Sequence, residues 1–326
     1  MQLAFTIDVE EEGLFSGSYR AEKPPLQNIS ALSLLDPIIS EFDLRPTLLV
    51  SYQAVRDEYH RDYINGLAHR WRAEIGAHLH PWNTPPLVNF PCRQPVPSEV
   101  MPREILTAKM RSLWRALDDM GVVPTSFRMG RFNLGPKMFS ILSDTTIIVD
   151  SSVAPMRSYY GGPKHLGAPT DPYYPDPADP ARPGRSNILE VPLTILPILP
   201  RAGSIFRRME SLPFPPGQWT GWAAQYLASL PAQPVWTGLR RLKMACRLHR
   251  RRGGRVLTVF LHSSELMPGG CPRHPRREQV TEFMQRLHAF LSWVRNDLRA
   301  EPVTLSDLAR LESARKGRAG DKTQGP

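Results

Sequence analysis

Seven short apolar runs are spaced along the chain: LAFTID (3–8), PTLLVSY (46–52), EIGAHLH (74–80), TSFRMG (125–130), TTIIVDS (145–151), ILEVPLTIL (188–196) and RVLTVFLHSS (255–264). Runs of this length, bounded by turn-forming residues, predict buried strands. Between and after them lie longer amphipathic stretches that predict helices: ALSLLDPIISEF, DYINGLAHRWRA, REILTAKMRSLWRALDDMG and RREQVTEFMQRLHAFLSWVRNDL. In the last of these, Val280, Phe283, Met284, Leu287, Phe290, Leu291 and Val294 keep the i, i+3, i+4, i+7 spacing of a stripe facing a core. Strands separated by helices predict an α/β fold with a parallel sheet, and seven such units suit one barrel better than two domains. The segment 155–187 is so rich in proline and glycine that it predicts a long loop without regular structure, lying over one face of the barrel.

In parallel α/β sheets, ligands bind beyond the carboxyl ends of the strands. The polar residues of this chain collect there. The first strand ends in Asp8 and Glu10, the third in His78 and His80, the fourth carries Arg128, the fifth ends in Asp150, and the seventh in His262, Ser263, Ser264 and Glu265. Strand side chains alternate, so Asp8 and Glu10 can share a face, as can His78 and His80. Two imidazoles with one or two carboxylates make a donor set for a divalent metal, zinc foremost, with cobalt, nickel or manganese as alternatives. Each residue taken singly has a plainer reading, as a core histidine, a solvated acid or half of an ion pair. The series at five strand ends outweighs those readings.

Charge adds a second theme. The formal net charge is +10, and much of the excess lies in RRLKMACRLHRRRGGR (240–255) and in the tail. A solvated helix face is the plain reading of the first stretch; contact with an anionic membrane surface or glycan is the functional one. No aromatic–basic interleaving, helix-turn-helix or zinc-finger pattern points to nucleic acid. The start MQLAFTIDVEEEG lacks a basic region followed by an apolar one, which predicts a cytoplasmic protein. Cys92, Cys246 and Cys271 have neither C-x-x-C spacing nor an even count, so neither a disulfide framework nor a thiolate zinc site is expected. Residues 313–326 are expected to form a disordered basic tail after a barrel domain over 1–312.

The ordered blocks FTIDVEEEG, EIGAHLHPWNTPP, FRMGRFNLG, VDSSVAP and VFLHSSELMPGG resemble the five motifs of the NodB-type polysaccharide deacetylases. HLHPWNTPP and LHSSELMPGG are similar to the WalW group, linked with lipopolysaccharide and capsule-like glycan synthesis. The resemblance implies a distorted (β/α)7 barrel, a divalent metal, and hydrolysis of an N- or O-acetyl group from a sugar or glycan precursor. It implies Asp8 as catalytic base, Arg128 as the residue holding that base ionised, Asp150 as a group tuning the acid, and His262 as the acid. Glu10, His78 and His80 would bind the metal, and Trp82, Tyr159, Ser263, Ser264 and Glu265 would contact substrate, with Tyr160 a further aromatic candidate.

Two positions depart from the family pattern: Val9 stands where a second Asp is usual, and Trp82 where the second His of H-x-x-x-H is usual. They leave open an assignment in which Asp8 binds the metal and Glu10 or Glu265 is the base. They also keep two other readings in view: an allantoinase-like amidohydrolase of a small cyclic amide, and a barrel that has lost catalysis and serves as a glycan-binding or scaffold component.

Overall fold

The computed structural model describes residues 1–90, 95–158, 162–210, 223, 224 and 226–321. Its strands, in chain order, are β1 (Gln2–Val9), β2 (Thr47–Ser51), β3 (Glu74–Leu79), β4 (Ser126–Met129), β5 (Val149–Asp150), β6 (Pro175–Asp176), β7 (Asp179–Pro183), β8 (Leu189–Glu190), β9 (Ile195–Pro197), β10 (Ser229–Pro231), β11 (Val256–His262) and β12 (Glu301–Val303). Seven of them form a parallel sheet in the order β11-β1-β2-β3-β4-β5-β8. β12 adds to the beginning of β1, while β2 pairs with its end. The sheet curls towards closure without completing a ladder. Thr194, just past β8, reaches β11 through its amide to the Thr258 carbonyl (3.2 Å) and its hydroxyl from the Thr258 amide (2.8 Å). A curled half-barrel of seven parallel strands is the expected α/β class and strand count.

Alternation along each strand sorts the two faces. Phe5, Ile7, Val9, Ala77, Leu79, Phe127, Met129, Leu257, Val259 and Leu261 point outward into the main core, against the stripes of the helices Glu58–Trp71, Arg103–Asp118 and Arg277–Asn296. Val9 is therefore part of the helix–sheet layer. The inward face is apolar at the bottom, where Ala4, Leu49, Val149, Leu189 and Val256 meet Leu305, Leu308 and Ala309 of the helix Leu305–Asp321. That helix is tied down by Glu74, whose carboxylate accepts from the Ser306 hydroxyl (2.5 Å) and amide (3.0 Å). Above this plug the inward face turns polar.

Three sequence expectations are corrected. The loop 155–187 contains the antiparallel hairpin β6–β7, because Asp176 and Asp179 accept from nearby amides and turn the proline-rich chain back on itself. The apolar run 188–196 is two strands in different sheets, β8 and β9, split where the chain leaves the barrel wall after Glu190. The tail from 313 continues a helix as far as Asp321, anchored near its start by Leu305 and Leu308; residues 322–326 lie outside the described residues.

Candidate metal centre and catalytic mouth

Register sets the site. Asp8 of β1 pairs with His262 of β11, and His78 of β3 with Arg128 of β4, so four of the polar residues stand side by side at the sheet's carboxyl edge. Beyond the end of β1, Glu10 is held by its backbone: its amide donates to Ser263 Oγ (3.2 Å) and its carbonyl accepts from Asn28 Nδ2 (2.8 Å). Asn28 also donates to Ser263 Oγ (2.8 Å), closing a small buried brace.

Glu10, His78 and His80 converge. Glu10 Oε2 lies 3.3 Å from His78 Nε2 and 3.2 Å from His80 Nε2, and one donor atom from each residue falls within 4.8 Å of the others. The far side of each ring is already committed. His78 Nδ1 bonds to the Arg128 carbonyl (2.9 Å), and His80 Nδ1 to the Glu11 carboxylate (2.9 and 3.0 Å). With Nδ1 committed to these partners, both rings turn Nε2 towards Glu10, and such outer partners are what orient metal-binding imidazoles. The donor set of two nitrogens and one carboxylate oxygen fits zinc or a neighbouring first-row ion.

Charge in the cluster follows the same partners. Burial pushes the Glu10 carboxyl up, but the nearby His262 and the bonds from His78 and His80 outweigh it and hold it well below the usual range. Burial pulls His80 down, yet Glu11 and Glu10 carry it up to about 10. Burial likewise raises the Glu11 carboxyl, and His80 brings it down. The buried acids are balanced by protons on imidazole, which a bound cation would displace.

Arg128 is fully buried among fixed acceptors. It donates from Nη1 to Asp8 Oδ1 (2.6 Å), from Nη2 to Thr6 Oγ1 (3.0 Å) and Ser151 Oγ (2.9 Å), and from Nε to the Ser151 carbonyl (2.8 Å). On the other side of Asp8, His262 Nε2 stands 3.9 Å from Oδ2. His262 is wedged edge-on between Phe15 (5.1 Å) and Phe260 (5.3 Å). Glu265 sits behind it: Oε1 is 3.3 Å from His262 Nδ1 and accepts from Trp236 Nε1, while Oε2 accepts from the His262 amide. Burial lowers the imidazole, but Glu265, then Glu10 and Asp8, raise it to about 9.

Asp8, Glu10, His78, His80, Trp82 and His262 line one cavity of about 230 Å³, together with Phe15, Phe132, Phe260, Leu193, Ile195 and Arg131. The other sequence candidates stand behind its wall. Asp150 is paired with Glu190 across β5 and β8 and accepts from the Ser152 hydroxyl (2.6 Å) and amide (3.1 Å). Burial, and for Glu190 the neighbouring Asp150, drive both acids of this pair upward. Ser263 braces Glu10, Ser264 is buried, and Glu265 backs His262. Trp82 stacks on His80 (4.2 Å between rings) and donates to Glu11 (3.0 Å), a packing role that leaves one edge to the cavity. Tyr159 and Tyr160 lie outside the described residues.

No family model and no curated protein matches the chain. Among solved structures, a Mycobacterium smegmatis protein assigned to the polysaccharide deacetylases aligns over 97% of this chain and 91% of its own, at a TM-score of 0.55 and 17% identity. The fold resembles that of a polysaccharide deacetylase. Fainter likenesses extend to the Xyl-CE4 domain of a multidomain xylanase from the hindgut metagenome of Trinervitermes trinervoides (TM-score 0.44, 11% identity, 96% of this chain and 91% of that one). A CE4 family pseudoenzyme from Bacillus anthracis follows (TM-score 0.47, 8% identity, 94% and 65%).

Sequence reasoning missed Glu11, Asn28 and Glu190. Strand alternation singles out Asp8 and Glu10 and passes over Glu11, but β1 ends at Val9 and the turn swings Glu11 onto His80, Trp82 and Asn83. Gly130 is a further requirement, since a Cβ there would lie 2.5 Å from His80 Cδ2 and 2.7 Å from the Leu79 carbonyl oxygen. Its motif FRMGRFNLG was the available signal.

Proposed function

We propose that this chain is a metal-dependent carbohydrate deacetylase, removing an N- or O-acetyl group from a bacterial glycan or glycan precursor in the cytoplasm. The observation that carries the reading is the placing of Asp8, locked by Arg128, and His262, backed by Glu265, on one cavity with the Glu10, His78 and His80 donors. The fold likeness supports it.

When bound, a cation on Glu10, His78 and His80 supplies Lewis acidity towards the acetyl carbonyl and the attacking water. Asp8 takes the proton of that water; Arg128 holds its carboxylate in place through Nη1. A C–O bond to the acyl carbon forms as the C–N or C–O bond to the sugar breaks, and His262, protonated at neutral pH, gives its proton to the leaving amine or alkoxide. The apolar floor of Phe132, Phe260, Leu193 and Ile195 suits an acetyl methyl. At about 230 Å³ the cavity is below the roughly 300–1,000 Å³ of a drug-sized ligand's pocket, and it takes one sugar ring's acetyl end at a time. The WalW-like blocks favour a lipopolysaccharide or capsule-like intermediate as the source of that sugar.

The test is acetate release from N- and O-acetylated sugars by zinc-loaded protein, beside the His78→Ala, His80→Ala double variant. Release by the loaded protein alone supports the reading. Metal uptake with no acetate released but a cyclic amide opened would move it to the amidohydrolases, and failure to take up metal would favour the binding barrel.

A further inference from the structure

The chain's net charge is concentrated in one stretch. Residues 191–264 hold eleven Lys and Arg against a single acid, Glu210, which accounts for the whole formal charge of +10; the rest of the chain is balanced. The helix Leu239–Arg251 buries Leu242, Ala245, Cys246 and His249 and turns Arg240, Met244, Arg247 and Arg251 to solvent along one row. Neither Arg240 nor Arg251 takes part in an ion pair or side-chain hydrogen bond among those described.

Exposed apolar side chains adjoin the carboxyl end of this helix. Arg252, just past the helix, donates to the carbonyls of Pro197 (2.6 Å) and Ile198 (2.7 Å), fixing the helix end against the chain that leaves β9. There Leu199 is 69% exposed. The Ile198 amide donates to the Ala228 carbonyl (2.8 Å), which brings in Leu227, 63% exposed. The helix Ala202–Glu210 starts immediately after, with Ala202 and Gly203 buried and Ile205, Arg208 and Met209 facing out; Ile205 is 55% exposed. Single exposed apolar residues need no explanation, but a cluster interleaved with arginines does.

We infer that this surface docks on an anionic phospholipid bilayer, with Leu199, Ile205, Met209 and Leu227 entering the headgroup boundary and the row from Arg240 to Arg251 meeting lipid phosphates. A soluble anionic polymer would satisfy the arginines alone and leave the leucines in water; a bilayer satisfies both, and that combination decides between them. No helix of the described residues is long and apolar enough to cross a membrane, so the contact is interfacial. The inference is independent of the reaction proposed above.

The experiment is co-sedimentation of the full chain with phosphatidylcholine vesicles, with and without 30% phosphatidylglycerol, across a salt series, with dextran sulfate as a soluble polyanion. Three forms are compared: the unaltered chain, Arg240→Gln with Arg251→Gln, and Leu199→Ser with Ile205→Ser, each first shown to keep its thermal unfolding midpoint. Binding to the anionic vesicles alone is expected, falling with salt, about 25-fold weaker in the arginine variant at about fivefold per charge. The Leu199/Ile205 variant should lose vesicle binding tenfold or more while holding dextran sulfate as before. Absence of vesicle binding, or vesicle binding that ignores Leu199 and Ile205 and matches that to dextran sulfate, would overturn the bilayer in favour of a solvated face or a soluble polyanion.

Discussion

Asp8 and Arg128 are 120 residues apart in sequence and meet at 2.6 Å in the barrel interior, both buried. A buried pair of this kind is asymmetric in its energetics. Removing the cation alone leaves a buried carboxylate unpaired, at a cost of about 3–5 kcal/mol, whereas removing both charges costs far less. Arg128→Met should therefore lower unfolding stability in urea by about that amount, and Asp8→Asn combined with Arg128→Met should recover most of it. Equal losses in the single and double variants would show that Arg128 is held by its bonds to Thr6 and Ser151 instead.

Glu11 offers a prediction that separates holding a metal from aiming a ligand. It touches His80 Nδ1, Trp82 and Asn83 but is absent from the donor set of Glu10, His78 and His80. Glu11→Gln should keep zinc binding with affinity reduced about 10- to 100-fold, the usual effect of losing an outer partner. His80→Ala should abolish it. Competition with a chromogenic chelator measures both, and an unchanged affinity in Glu11→Gln would remove the positioning role.

Gly130 is needed for space rather than for backbone conformation. A methyl group there would overlap His80 Cδ2 at 2.5 Å, and neither Leu79 nor the stacked Trp82 leaves His80 room to retreat. Gly130→Ala should cost metal affinity more than Glu11→Gln does, with a smaller loss of thermal stability than a core truncation. Full zinc affinity in that variant would mean that the β4 turn moves instead.

Much of this site was readable from strand ends, because a parallel sheet with apolar strands leaves few places for Asp8, His78, Arg128 and His262 except its carboxyl edge. Register did the rest, pairing Asp8 with His262 and His78 with Arg128. What the sequence hid lies where period-two alternation stops. Glu11 lies two residues past the end of β1, and the turn held by Asn28 and Ser263 carries it inward. Glu190 was hidden for a different reason: in ILEVPLTIL it reads as an interruption of an apolar run, and its partner Asp150 is 40 residues away. The hairpin β6–β7 rests on side-chain acceptors within a proline-rich stretch, a signal that composition averages away.

His262 sets the alkaline limit of the proposed reaction. Its imidazole is carried up to about 9 chiefly by Glu265, against the opposing effect of burial. A group raised above its unfolded value of about 6.5 stabilises the fold fully below that value, and the contribution is lost as pH climbs through 9. As a proton donor it is likewise competent below 9 and spent above it. Glu265→Gln keeps an acceptor for the His262 amide and removes the charge, so the imidazole titrates lower. The falling limb of kcat/KM against pH should move towards acid in that variant, and the alkaline loss of stability should begin at lower pH. His262→Gln should flatten the alkaline limb altogether and lower kcat by about 100-fold or more. Should the limb stay in place in Glu265→Gln, the titrating group belongs elsewhere in the cavity, and His262 would be left with a packing role between Phe15 and Phe260.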